Sequence, residues 1–400
     1  MLRLEKIPTK LIIIADLLLA IIIANLIFKN EGVNNTNKSY SEEEFRKAGT
    51  VIWNICKGQT GWDCYNKEFY KLTGEKGFTF AEQTLYMMGE SDISLRNCHI
   101  ISHHISRAAT RKDPDNWKKL LGEVNVSSCG GGFIHGILEA HLADNPDFKI
   151  SSEFIYETCS PLKDNGAKIM CSHGLGHLIL VENLGDLEKS VTSCDGLVEA
   201  DKTMARECYI GMFMEDHQRF ALSEHEISPL PSYGSQYLKS VKDQCLRYKG
   251  LPAVACWNEV AEIAAKSLAY DPNVIYKECY DAPTEEEGNY CYLKGVALLA
   301  VFYNFDTTDK LLSICNPYEK DNKDQMYQSC INYAISSLIG YTGKFTDRAI
   351  LICSNIDTNL KEGCFKNLGF QLKRNVTLLS ERQALCQSVP DAYKLYCISP

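Results

Sequence analysis

The apolar and polar positions of the chain form one long apolar run followed by many shorter segments with helical periodicity. The long run is residues 11–28, LIIIADLLLAIIIANLIF, whose only strongly polar residues are Asp16 and Asn25. A helix of this length extends roughly 27 Å, since each residue adds about 1.5 Å, and so could cross a bilayer. We therefore predict one N-terminal transmembrane helix.

The residues that flank this apolar run predict its orientation. Three basic residues precede it: Arg3, Lys6 and Lys10. Positively charged flanks favour the cytoplasmic side, so residues 1–10 are expected to be a cytoplasmic tail and residues 29–400 extracytoplasmic. A cleaved signal peptide is the alternative, but the sequence has no small-x-small cleavage site before Lys29. Residues 29–44, rich in Asn, Ser, Lys and Glu, are expected to form a flexible stalk after an uncleaved signal anchor.

The shorter apolar segments each follow a cysteine and predict helices. Two of them read CWNEVAEIAAKSLAY and CYLKGVALLAVFY, and they begin at Cys256 and Cys291. They are rich in Ala and Leu and contain no proline, as expected of helices. Turn residues such as Asn316-Pro317 lie between the two cysteines of a pair. Each unit is therefore predicted to be a helix, a connection flanked by cysteines, and a second helix.

These units repeat along the chain at an interval of about 33–38 residues, the length of a two-helix repeat. One longer interval contains residues 228–234, a proline-rich insertion that is expected to be a loop. The predicted disulfides of the repeats are Cys159–Cys171, Cys194–Cys208, Cys245–Cys256, Cys279–Cys291, Cys315–Cys330, Cys353–Cys364 and Cys386–Cys397. Upstream, Cys56 and Cys64 are expected to form a capping pair, and Cys98 and Cys129 are expected to pair by elimination.

The repeat predicts an all-α fold, a disulfide-stapled α/α-hairpin repeat solenoid that follows the transmembrane helix. Its organisation resembles Sel1-like and TPR-like helical arrays. We expect a His-rich half over residues 45–225, an inter-repeat loop over 226–240 and a C-terminal half over 241–400. Solenoid surfaces suit protein or peptide partners, and the C-terminal repeats are the candidate surface for one.

The amino-acid composition limits the cellular compartments and the classes of partner that are compatible with this chain. Eighteen cysteines without a C-x-x-C motif favour disulfides in an exported protein over zinc-ribbon or thioredoxin chemistry. Four sequons, at Asn34, Asn37, Asn125 and Asn375, agree with an extracellular glycoprotein. The 42 Lys and Arg residues against 51 Asp and Glu give a net charge of -9, which argues against a nucleic-acid binder.

The histidines align between neighbouring units. Four cysteine-led segments place polar groups four residues apart, with a glycine at the first position of the last: His99 and His103, His135 and Glu139, His173 and His177, Gly211 and Glu215. Residues four apart share a helix face, and equivalent helices of neighbouring repeats lie side by side. We therefore predict two rows on one surface, with His99, His135 and His173 in one and His103, Glu139, His177 and Glu215 in the other.

Five imidazoles and two carboxylates make a candidate ligand set for two transition-metal ions, and Fe, Zn, Mn and Cu are all compatible with it. Four neighbours could orient these ligands or be solvated: His104, His141, Asp216 and His217. Drawing metal ligands from stacked helical repeats is similar to the scheme of a HEAT-type di-iron hydroxylase. The alternatives are structural histidines, a non-covalent haem or a small ligand, whereas covalent haem would need a C-x-x-C-H motif.

These observations favour a membrane-anchored, extracytoplasmic, metal-dependent enzyme with a dinuclear centre. Such a centre can generate hydroxide for hydrolysis or activate dioxygen, and the oxidative chemistry is slightly favoured here. The sequence reveals no catalytic nucleophile. Two alternatives stay open, a non-enzymatic solenoid adaptor for protein or peptide partners and the capture or storage of metal at the cell surface.

Overall fold

The structure is a computed structural model of the chain. It describes residues 40–59, 63–91, 98–124, 128–143, 149–163, 165–219, 222–223, 227–302, 308–320, 324–342, 346–376 and 379–398. The chain divides into two compact units, residues 1–47 and residues 48–400. The tail and the transmembrane helix expected over residues 1–28 lie outside the described residues. In the ranges given above, no helix combines the length and the apolar character that a membrane crossing requires.

Every regular element of the described residues is helical, which confirms the predicted all-α class. In chain order the α-helices are α1 Glu42–Cys56, α2 Asp63–Lys76, α3 Phe78–Ser91, α4 His99–Lys112, α5 Trp117–Glu123, α6 Gly132–Ala143, α7 Ser152–Cys159, α8 Asn165–Glu182, α9 Leu187–Asp195, α10 Lys202–Gln218, α11 Ser235–Cys245, α12 Leu251–Ser267, α13 Pro272–Cys279, α14 Glu285–Phe302, α15 Thr308–Leu312, α16 Asn316–Lys320, α17 Asp324–Thr342, α18 Thr346–Asn355, α19 Thr358–Asn375, α20 Leu379–Leu385 and α21 Asp391–Ile398. Short 3-10 turns cover Pro114–Asn116, Ser128–Gly131 and Ser313–Cys315.

The longer helices pack on one another in chain order. Helix α2 packs on α4 and α4 on α6, and the series continues through α8, α10, α12, α14, α17 and α19. A shorter helix precedes most of them and packs against the longer one that follows, as α7 does on α8 and α13 on α14. The longer helices therefore form one continuous series, with the shorter helices packed against its members.

The structure joins all eighteen cysteines in disulfides, in the same nine pairs that their spacing predicts. In the repeats, the first cysteine lies at or near the end of a short helix and the second lies in a helix that follows. Cys159, for example, ends α7, and its partner Cys171 lies in α8. Both residues are fully buried, so the bond is also part of the core.

Side-chain caps explain where several of these helices begin. Asp201 accepts hydrogen bonds from the backbone N–H groups of Thr203 and Met204 at the start of α10. Asp271 caps α13 in the same way. These carboxylates satisfy backbone donors that have no partner inside the helix, and such a cap stabilises a helix by about 1 kcal/mol.

Helix α1 begins inside the segment predicted as a stalk, residues 29–44. Its start is set by a capping box between Ser41 and Glu44. The backbone N–H of Ser41 donates to the Glu44 carboxylate at 2.8 Å, and the N–H of Glu44 donates to the Ser41 hydroxyl at 3.3 Å. This reciprocal pair extends the helix further toward the N-terminus than the polar composition suggests.

The loop predicted over residues 226–240 is shorter than expected, since α11 begins at Ser235. Pro229 and Pro231 lack a backbone N–H and lie in the irregular part of this segment. The helix starts soon after them, and the backbone N–H of Gly234 donates to the Ser267 hydroxyl. The irregular part of the insertion therefore ends shortly after Pro231.

We expect the purified, unreduced protein to contain no reactive thiol after denaturation, because every cysteine is paired. After reduction, eighteen thiols per chain should react with an alkylating reagent, as counted by mass spectrometry. Peptide mapping should recover a fragment in which Cys98 and Cys129 are linked. Alkylation of the unreduced chain would contradict the disulfide assignment.

Candidate metal centre

Five histidines from three helices meet in one cluster, with His135 at its middle. The His135 ring centroid lies 5.1 Å from that of His99 and 5.4 Å from that of His103, both on α4. On the other side it lies 5.6 Å from His173 and 5.2 Å from His177, both on α8. The structure thus brings together all five histidines that the sequence places in two rows.

The five histidines form two groups that could each hold a metal ion. His99, His103 and His135 make the first group, and His135, His173 and His177 make the second. Within each group, one ring nitrogen per residue lies within 4.8 Å of the others. His135 belongs to both groups, so the two candidate sites share a ligand.

The spacing inside each pair matches that of two ligands on one ion. The Nε2 atoms of His99 and His103 are 3.1 Å apart, and those of His173 and His177 are 3.2 Å apart. Two nitrogens about 2.0–2.1 Å from a tetrahedral zinc ion are roughly 3.3 Å from each other. Each pair could therefore bind an ion with little movement.

In the first pair, His99 and His103, each ring carries its hydrogen on Nδ1 and not on the Nε2 atom that faces the other ring. Nδ1 of His99 lies 3.1 Å from the backbone carbonyl oxygen of Cys129, and Nδ1 of His103 lies 3.0 Å from Glu139 Oε2. A carbonyl and an ionised carboxylate only accept, so each Nδ1 must carry the hydrogen. When both rings are neutral, the two Nε2 atoms that face each other carry no hydrogen, and each presents a lone pair to the other. Such an arrangement calls for a cation between them, either a proton or a metal ion.

In the second pair, His173 and His177, a hydrogen-bond acceptor fixes the position of the ring hydrogen on His177 only. Nδ1 of His177 lies 3.1 Å from Glu215 Oε2, which places a hydrogen on that nitrogen. Nδ1 of His173 is buried and has no hydrogen-bond partner among the described residues. His173 can therefore carry its hydrogen on Nε2 and donate it to His177.

Glu139 and Glu215 lie beside the imidazoles and are not part of either three-residue group. The sequence presents them as candidate ligands, but each contacts the Nδ1 atom of a histidine and not the gap between the Nε2 atoms. Carboxylates in this position fix the orientation and tautomer of ligating imidazoles in metalloproteins.

Arg107 is an outer residue that the sequence did not single out. Its Nε donates to Glu139 Oε2 at 2.7 Å, so one carboxylate oxygen serves both Arg107 and His103. Burial works against ionisation of Glu139, yet His103 and Arg107 hold its pKa down to about 2. Arg107 follows His103 by four residues and therefore lies on the same helix face, which was the signal available in the sequence.

Burial keeps the central imidazoles neutral. It lowers the pKa of His99 to about 3, and the neighbouring charge of His103 adds to the effect. Burial likewise lowers the pKa of His135 and of His173 well below the usual value, with further contributions from the surrounding histidines. Neutral imidazole is the form that binds transition metals.

Glycines allow the three helices to approach this closely. A Cβ added at Gly136 on α6 would lie 2.5 Å from the backbone carbonyl oxygen of His103 on α4. One added at Gly174 on α8 would lie 2.5 Å from Cδ2 of the His135 ring. Both distances are too short for real contacts, so any larger residue would push the helices or the ring apart.

The turn before α6 places the carbonyl that His99 needs. Cys129 adopts a left-handed backbone with φ 55°, which non-glycine residues rarely do, and Gly131 has φ 83°. The Cys98–Cys129 disulfide ties this turn, Ser128–Gly131, to the start of α4. The same turn packs against α17, far along the chain. Rare backbone conformations that several contacts hold in place are a feature of functional sites.

The predicted outer partners His141 and Asp216 make contacts of their own. The His141 ring stacks on Trp117 with centroids 4.0 Å apart, and Asp216 accepts a hydrogen bond from Gln244 at 2.7 Å. His104 is partly buried on α4. Three of the five histidines, His99, His103 and His177, have Nδ1 contacts with Cys129, Glu139 and Glu215, respectively. The sequence presents the two glutamates as ligands.

His217, the remaining predicted outer partner, is fully buried beside the Cys245–Cys256 disulfide. Its ring nitrogens and the two sulfur atoms are close enough to suggest a metal site. The sulfurs are bonded to each other, however, and metals bind the thiolate form of cysteine. With this disulfide intact, His217, Cys245 and Cys256 are not a candidate metal site.

The equivalent positions of the following helices hold other polar groups. Lys294 Nζ lies 3.9 Å from the fully buried Glu259 carboxylate, and its charge helps to lower the pKa of His173 after the larger effects of burial and His177. Tyr333 on α17 exposes 40% of its surface. Asn367, further on, donates to a backbone carbonyl.

Comparison with known protein families, with curated proteins and with solved structures finds no match to this chain. No family is therefore assigned, and the functional conclusion depends on the geometry of the centre.

We expect Gly136→Ala to destabilise the protein by about 1–3 kcal/mol, because its new methyl group would overlap the His103 backbone. The midpoint of thermal unfolding should fall. Gly122→Ala is the matched control, since its Cβ would enter open space at an exposed position of α5. That variant should be neutral or stabilised by up to about 1 kcal/mol. Equal effects at the two positions would contradict the close packing of α4 and α6.

Proposed function

We propose that the chain is a membrane-anchored, extracytoplasmic metal-dependent enzyme whose centre is the cluster His99, His103, His135, His173 and His177. The scaffold would be a Sel1/TPR-like repeat solenoid, attached to the membrane through residues 11–28. Nine disulfides and four sequons support an exported protein. The five converging imidazoles support the metal.

The observation that carries the proposal is the pair of bare Nε2 atoms on His99 and His103, 3.1 Å apart. Two structural histidines would be expected to donate to one another, because unmatched buried polar atoms cost free energy. Here the Cys129 carbonyl and Glu139 prevent that in the neutral state. A metal ion in the gap would give both lone pairs a partner.

The ligand chemistry narrows the choice of ion. Imidazole nitrogens suit Zn, Cu, Fe and Ni, whereas Mn prefers oxygen ligands. With Glu139 and Glu215 occupied on the Nδ1 atoms of His103 and His177, the direct ligands would be imidazoles alone. Among the ions compatible with the sequence, Zn, Cu and Fe therefore fit better than Mn.

Partial exposure of the cluster supports catalysis over storage. The side chains of His103 and His177 expose 13% and 14% of their surface, so solvent can reach the edge of the cluster. Three protein ligands leave a coordination position open for water or substrate. A bound ion would supply Lewis-acid activation of water or of dioxygen. Glu139 and Arg107 would keep the His103 ring in place while its Nε2 holds the ion.

We expect the full-length protein, purified in detergent from its own host, to carry a first-row transition metal. His135→Ala should lose most of that metal, because His135 belongs to both groups. Elemental analysis measures the metal, and circular dichroism checks that the helices persist. His141→Ala is the control, since that histidine stacks on Trp117 outside the cluster. A folded, metal-free protein that also takes up no added metal would refute the proposal.

The class of reaction can be tested on the same preparation. If the chemistry is oxidative, the iron or copper form should consume dioxygen in the presence of a reductant, and His135→Ala should abolish this. If it is hydrolytic, the zinc form should cleave activated esters with the same dependence on His135. We expect the first result, and an oxygen electrode together with a chromogenic ester assay separates the two.

A further inference from the structure

The two histidine pairs differ in how their hydrogen atoms are placed. In the first pair, both Nδ1 atoms are hydrogen-bonded to acceptors, the Cys129 carbonyl for His99 and Glu139 for His103. In the second pair, only His177 has such an acceptor, Glu215. Nδ1 of His173 lies buried with no hydrogen-bond partner in the described part of the chain.

This difference sets the state of each pair without metal. His173 can donate from Nε2 to Nε2 of His177 across 3.2 Å, so the second pair forms an ordinary hydrogen bond when no ion is bound. The first pair cannot do this, because its hydrogens are already committed to Cys129 and Glu139. A bound ion would therefore remove the repulsion between two facing lone pairs in the first pair. In the second pair, it would replace a hydrogen bond.

His135 reinforces the difference, because both groups need it. A neutral imidazole has one lone pair, and so it serves one ion at a time. An ion held by His99 and His103 would take that lone pair as its third ligand. The second group would then have only His173 and His177, unless His135 also lost its ring hydrogen.

We propose that the centre fills in a fixed order, with a resident ion at His99, His103 and His135 and a conditional second ion at His173 and His177. This inference depends on the proposed function and specifies how that site is regulated. Two-ion chemistry would be available only when metal supply is high enough to fill the weaker site. At lower supply, the protein would hold a single ion.

Binding of the second ion also requires a change of tautomer. The hydrogen of His173 must leave Nε2 and return on Nδ1, where it meets no acceptor in the buried site. Losing one hydrogen bond and leaving one buried donor unmatched should weaken the second step by roughly 10- to 100-fold relative to the first.

The experiment is a titration of the full-length, detergent-solubilised protein with Co²⁺ after metal is removed by a chelator. Absorption of tetrahedral Co²⁺ and competition with a chelating dye give the number of ions and the affinity of each step. We expect two steps, with the second at least about tenfold weaker than the first.

Matched variants assign the steps to the pairs. His173→Ala should keep the tight step and lose the weak one, whereas His99→Ala should lose the tight step. Where an alanine variant does not fold, Glu139→Gln and Glu215→Gln replace it with little change in volume. Glu139→Gln should weaken the tight step by roughly tenfold or more, and Glu215→Gln should affect only the weak step.

Two steps of equal affinity, or a tight step that depends on His173 and not on His99, would overturn the order of filling while leaving the proposed metal centre intact. A single ion that needs all five histidines would overturn it as well. Absence of any Co²⁺ binding by folded protein would overturn both this inference and the proposed function. The outcomes therefore separate the two.

Discussion

The repeat fold depends on the disulfides that tie each short helix to the helix that follows it. Each repeat bond closes a short loop, such as the separation of 12 residues between Cys159 and Cys171, and removes roughly 3 kcal/mol of unfolded-chain entropy in the loop-closure description. The bond also restrains each long helix against the short helix that precedes it. The Cys98–Cys129 bond joins the start of α4 to the turn before α6, and it helps to keep the rings of His99, His103 and His135 together.

Much of this architecture could be predicted from sequence, because it depends on local spacing. Cysteines about a dozen residues apart can pair only across a tight hairpin, and histidines four residues apart must share a helix face. The pair Cys98 and Cys129, separated by 31 residues, followed by elimination alone. The sequence places the starts of α1 and α11 several residues too late. Both starts are set by features that act over only a few residues, a capping box at Ser41 and the last proline of a loop.

The arrangement around the histidines could not be predicted in the same way. Helical spacing places Glu139 and Glu215 beside the imidazoles, but it does not say which ring atom they contact. The third acceptor, the carbonyl of Cys129, is a backbone group and leaves no mark in the sequence. The outcome matters chemically because imidazoles are neutral ligands, whereas carboxylates would cancel part of the charge of a divalent ion. Carboxylates that contact only the Nδ1 atoms of the imidazoles would leave a bound ion with neutral direct ligands.

Cys129 combines two roles, since its sulfur bonds to Cys98 and its carbonyl accepts the hydrogen of His99. Its left-handed backbone is unfavourable by itself, and the covalent link to the start of α4 helps to hold it. A newly made chain whose thiols are still reduced lacks that restraint, and its first histidine pair is then not preset. Maturation of the centre would thus follow a sequence in which thiol oxidation comes before metal loading. The compartment where cysteines are oxidised would then also decide which metal the protein acquires.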